Sequence, residues 1–81
     1  MNQPEIYQKL TNVFHEVFDN DDINLSPKMT SNDLEEWDSL AHVRLIVAVE
    51  EAFGVRFAAG EGTVLKDVGH LVATIEQKLS R

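Results

Sequence analysis

Ser39 is the residue whose position could do chemistry. It lies in Glu36-Trp37-Asp38-Ser39-Leu40, at the head of the longest apolar run in the chain. Asp38 is a natural helix N-cap, because its short carboxylate can accept from the unpaired N–H groups of a first turn. A serine one position later is held at a fixed, exposed corner, where backbone N–H groups favour any anion attached to its oxygen. The same pair also has a purely structural reading, in which Asp38 and Ser39 do nothing beyond capping. A hydrolytic Ser39 lacks the Gly-x-Ser-x-Gly elbow. Its nearest imidazole, His42, sits three residues on along the same helix, with no third group to orient it.

Other chemistry finds less support. His15, His42 and His70 fall on three separate elements and read as rim histidines, His42 facing solvent or the rim, within reach of anything attached to Ser39. With no cysteine and no close histidine pair, no metal site is expected, and thiol catalysis and disulfides are excluded. Asp19-Asn20-Asp21-Asp22 begins like a calcium loop, but its fifth position is Ile23 and the required sixth-position glycine is Asn24. Gly60 and Gly62 form no nucleotide-binding motif. No catalytic residue is expected.

The elements that must hold Ser39 follow from apolar spacing. Ile6, Leu10, Val13, Phe14, Val17 and Phe18 recur at helical intervals, predicting a helix from Pro4 to Phe18 with Tyr7 and His15 beside its stripe. A long connection follows from Asp19 to Trp37, pinned by Ile23, Leu25 and Leu34. The second helix runs from Ser39 to Phe53 and stops at Gly54. Leu45, Ile46, Val49 and Phe53 give it a core face. Leu40, Val43 and Val47 form a second stripe, so the helix is either central or keeps one face for a partner. The glycines between Ala58 and Leu65 allow at most a brief helical turn before Lys66. Asp67 caps a last helix carrying Val68, Leu71, Val72, Ile75 and Leu79. The fold class is therefore all-α: a small bundle of three main helices, with no strand across Val43 to Val49.

At 81 residues the chain supports one domain and one core, residues 1–81 together. Fourteen acidic against seven basic side chains give a formal charge of −7. That field opposes nucleic-acid and acidic membrane surfaces and suits proteins with basic patches. No run reaches transmembrane length and no secretory pattern opens the sequence, so a soluble, cytoplasmic monomer is expected.

Trp37-Asp38-Ser39-Leu40, with the apolar helix ending in Glu50-Glu51-Ala52-Phe53-Gly54-Val55, resembles the acyl carrier protein family, and the resemblance extends from the first helix to Leu79. It implies a helical bundle with a long first loop. It also implies that Ser39 carries 4′-phosphopantetheine, taken from coenzyme A by a separate phosphopantetheinyl transferase. The carrier would hold acyl intermediates as thioesters for acyl-loading, acyl-transfer or condensing enzymes of fatty acid or polyketide biosynthesis. Two alternatives stand beside it: a helical interaction module without an arm, and an aminoacyl or peptidyl carrier. Tryptophan ahead of Asp-Ser-Leu resembles discrete carriers of specialised biosynthesis more than the fatty-acid type.

The partner surface implied by the resemblance comprises Trp37, Asp38, Leu40, Val43, Arg44, Val47, Glu50 and Glu51. Trp37 packs over the loop, frames the Ser39 corner for a modifying enzyme, or does both, with packing the favoured account. Ala41 and Arg44 depart from the family, whose fatty-acid members commonly carry acidic residues at both positions. Arg44 therefore points to a dedicated partner set, since a basic docking patch would meet like charge there.

Overall fold

Three short polar side chains fix where the three helices begin. The computed structural model, which describes residues 2–58, 60–62 and 65–80, runs α1 (Gln3–Phe18), a single 3-10 turn η1 (Ser31–Asp33), α2 (Ser39–Phe53) and α3 (Val68–Leu79). Asn2 caps α1 with a reciprocal pair of bonds to Glu5, which starts the helix one residue before the expected Pro4. Asp38 caps α2 and Asp67 caps α3, each accepting from the N–H three residues on. At the other end of α2, Gly54 takes φ 67°, a left-handed conformation that lets its N–H return to the Glu50 carbonyl.

The stripes face one another. Ile6, Leu10, Val13, Phe14 and Phe18 of α1 meet Leu45, Val49 and Phe53 of α2 and Val68, Leu71, Val72 and Ile75 of α3 in one core. α1 packs against both other helices and is the centre of the bundle. Each fully enclosed Leu, Ile or Phe stabilises the fold by about 1.5–3 kcal/mol relative to its exposed state. α2 keeps its second stripe outside: Leu40, Val43 and Val47 remain 68%, 60% and 48% exposed. Among the described residues there is no strand.

The long connection is an ordered part of the fold. Ile23 is buried as expected, with Leu25 and Leu34 packed beside it, and Met29 joins the core as well. His15 helps hold the loop's first half, its Nε2–H donating to the Ile23 carbonyl at 2.9 Å. The loop then crosses the head of α3. Its Met29 and Pro27 carbonyls accept from the Val68 and Gly69 N–H groups at 2.9 and 2.8 Å. These are donors that a helix start otherwise leaves unpaired.

Gly69 is required by that crossing. A Cβ at position 69 would lie 2.9 Å from the Pro27 carbonyl oxygen, which the Gly69 N–H itself holds in place. Gly69→Ala should therefore cost about 1–3 kcal/mol despite alanine's better helix propensity. Thermal unfolding followed by circular dichroism checks this; an unchanged or raised midpoint would refute it.

The expected turn between Phe57 and Lys66 lies partly outside the described residues, at Ala59, Thr63 and Val64. What is described begins with a turn, in which Glu61 N–H donates to the Ala58 carbonyl at 2.9 Å and Gly60 takes φ 82°. Lys78 of α3 reaches this turn, meeting the Glu61 carboxylate at 2.8 Å and lying over the Phe57 ring.

Candidate functional site

The Ser39 corner is built by its neighbours. Asp38 stays in the extended conformation and turns its carboxylate back over the helix start, so that Oδ1 accepts from Ala41 N–H at 2.8 Å. Its carbonyl accepts from His42 N–H at 2.9 Å, closing the first turn. The N–H groups of Ser39 and Leu40, the first two of α2, have no acceptor among the described residues. Ser39 is exposed. Its hydroxyl thus projects at a helix N-terminus with two donors beside it, an arrangement that favours a phosphate ester.

An open groove of about 560 Å³ starts at this serine, lined by Ser31, Trp37, Asp38, Ser39, His42, Val43 and Leu65. It continues into a narrow cleft of about 60 Å³ reaching Lys66, Asp67 and Leu71. Apolar walls from Trp37, Val43 and Leu65, with polar edges at Ser31 and His42, suit a long, mostly uncharged chain attached at Ser39. A separate depression of about 600 Å³ on the α1–α2 connection is lined by Asn20, Asp22, Lys28 and Asp33 among others, and shares no residue with the groove. Among the described residues no group of three or more His, Asp or Glu is placed to hold a metal.

Trp37 sits behind the corner. It is 8% exposed, meets Phe14 edge-on at 5.3 Å between ring centroids, and lies 6.3 Å from Phe18. The structure bears out the packing account of this residue, and the same ring also lines the groove at the Ser39 corner. As a docking surface Trp37 is corrected, because its area is spent on the aromatic cluster. His42 is corrected too. It does not face open solvent as a free rim residue: it is half-buried, stacked on Trp37 and bonded at both ring nitrogens, with one edge lining the Ser39 groove.

The other expected docking residues divide. Asp38, Leu40, Val43, Arg44, Val47 and Glu51 are exposed, and 40, 43, 47 and 51 follow one helical stripe. Glu50 is half-buried, its carboxylate taken by the Phe57 N–H at 2.8 Å, where it fixes the chain leaving α2. Ser31, Gly62 and Leu65 have no site role in the sequence reading, yet Ser31 and Leu65 line the groove and Gly62 bonds His42. Gly62 offered one signal, its small size: a Cβ there would press to 3.2 Å from Ile46.

Fold and site together define a small helical bundle that displays one serine at the start of its second helix. Among curated proteins, the acyl carrier protein of Acidothermus cellulolyticus is 35% identical over 72 residues, covering 89% of this chain and 86% of that protein. Among solved structures, the holo acyl carrier protein of Geobacter metallireducens superposes with a TM-score of 0.86 at 43% identity, covering 93% of this chain and 86% of the other. No protein-family model matches the chain. The chain belongs to the acyl carrier protein family.

Proposed function

We propose that this protein carries acyl groups on a 4′-phosphopantetheine arm attached to Ser39 Oγ. The observation that carries the assignment is the exposed hydroxyl beside two unpaired N–H groups at the head of α2, opening onto the Ser39 groove. Family membership and the holo form of the Geobacter structure support the cofactor. When bound, the arm supplies the thiol that this cysteine-free chain lacks, and acyl groups are held on it as thioesters. Ser39 Oγ takes the phosphopantetheinyl group from coenzyme A on a separate transferase, and adenosine 3′,5′-bisphosphate leaves. The Ser39 and Leu40 N–H groups would hold the phosphodiester, in a turn that Asp38 keeps closed.

The chain performs no chemistry on its cargo; it acts as a single carrier domain and a monomer. Loading, transfer or condensing enzymes dock on the exposed Leu40, Val43 and Val47 stripe, with Asp38, Arg44 and Glu51 setting the charge around it. Intact-protein mass after incubation with coenzyme A and a broad-specificity transferase tests the arm. Gain of one phosphopantetheinyl group per chain is expected. No gain with several active transferases would favour an interaction module without an arm.

Arg44 makes partner choice testable. Arg44→Glu should strengthen productive docking on enzymes that present basic patches by about 0.2–1 kcal/mol, as expected for an exposed pair. The gain should shrink as salt rises. An unchanged specificity constant at low salt, holo wild type against holo variant, would remove Arg44 from recognition.

A further inference from the structure

His42 is held by two partners whose roles are fixed. The Trp37 indole Nε1–H can only donate, and it lies 3.0 Å from His42 Nδ1. The Gly62 carbonyl can only accept, and it lies 2.6 Å from His42 Nε2. The ring is therefore neutral, with its proton on Nε2. It ties the buried indole behind the Ser39 corner to the segment that follows α2, twenty residues away in sequence.

We propose that His42 is the positioning residue of the Ser39 groove: a latch that holds the Gly62 segment against the first turn of α2 and so sets the wall along which anything attached to Ser39 must lie. The inference deepens the arm reading and rests on it for its purpose, but the latch itself belongs to the protein without an arm. His42 stands three residues after Ser39 and lines the groove with Leu65, three residues beyond Gly62. Nothing else described bonds the Gly62 carbonyl.

The latch is sensitive to protonation. A second proton must go on Nδ1, where it faces the Trp37 N–H, donor against donor. A ring flip that relieves this clash also carries Nε2 away from Gly62. The charged and titratable groups around the ring are Asp38 at the head of α2, Glu61 beside Gly62, and Lys66 and Asp67 on the approach to α3. When the ring takes that second proton, the groove wall should loosen.

The test is nuclear magnetic resonance on wild type, His42→Ala and His42→Gln, all without an arm. In wild type at about pH 8 the His42 ring should show the Nε2–H tautomer. On acidification the Trp37 indole N–H, the Gly62 carbonyl carbon and the Leu65 methyls should shift together with it. His42→Ala should speed exchange of the indole N–H by about tenfold. His42→Gln, whose amide can still donate to Gly62, should keep the Leu65 methyls near their wild-type position and lose their pH dependence. An Nδ1–H tautomer overturns the proposal, as does a His42 titration that leaves Gly62 and Leu65 unmoved. Should His42→Ala not fold, the wild-type titration and the glutamine variant decide. A latch seen in a chain that no transferase modifies would reject the arm and leave the latch standing.

Discussion

Ser39→Ala should give a folded protein that takes no arm. The variant loses one exposed hydroxyl and no hydrogen bond among the described residues, while Asp38 still closes the first turn on Ala41. Alanine is the strongest helix former, so stability should stay within about 0.5 kcal/mol of wild type. Attachment, by contrast, should fall to nothing, because no other serine combines exposure with a helix start. Ser26 lies in the α1–α2 connection, Ser31 in a three-residue turn, and Ser80 at the end of α3. Digestion and site-localising mass spectrometry after transferase treatment, beside circular dichroism, make the comparison. Modification found at one of those three serines would overturn the assignment. Loss of modification with unfolding would show that Ser39 is structural.

Trp37→Ala should be the most damaging single change near the site. The indole fills the space between Phe14, Phe18 and His42, and is the last buried residue of the connection before α2. Truncating a buried tryptophan costs about 3–5 kcal/mol. An 81-residue domain has about 4–12 kcal/mol in total, so the loss removes a large share of it. Urea unfolding followed by circular dichroism should show the midpoint falling by about a quarter or more with little change in slope. Trp37→Phe should lie between, keeping the ring contacts but leaving His42 Nδ1 without its donor. A loss under about 1 kcal/mol for the alanine variant would mean that the aromatic cluster does not hold the corner.

The parts of this fold that were legible in sequence are those governed by local rules. Asp38, Gly54 and Asp67 mark their helix ends because capping needs only a short acceptor or a left-handed turn within a few residues. The stripes of α1 and α3 declare themselves by period, and Ile23, Leu25 and Leu34 stand out in a polar connection. Met29 did not, being a lone apolar residue between Lys28 and Thr30 with no repeat to place it. Asn2 is hard to read as the cap of α1 because Pro4 marks a first turn without fixing which residue before it begins the helix. The Trp37–His42–Gly62 chain of bonds was out of reach altogether. It joins side chain to side chain to backbone across separate elements, and such bonds leave no periodic trace. The same non-locality took Trp37 out of the expected docking surface and Glu50 into a backbone bond.

The way residues 27–29 complete the head of α3 has a consequence for how the protein opens. A helix start normally frays on its own, independently of distant chain. Here the first N–H groups of α3 are satisfied by carbonyls about forty positions earlier, so fraying of α3 and detachment of the loop become one event. The loop and the last helix thus form a single cooperative unit. In folding, α3 can finish its first turn only after the chain has closed a long circuit around α2. Perturbations in the connection will consequently register as lost order at Val68 and Gly69, on the far side of the sequence.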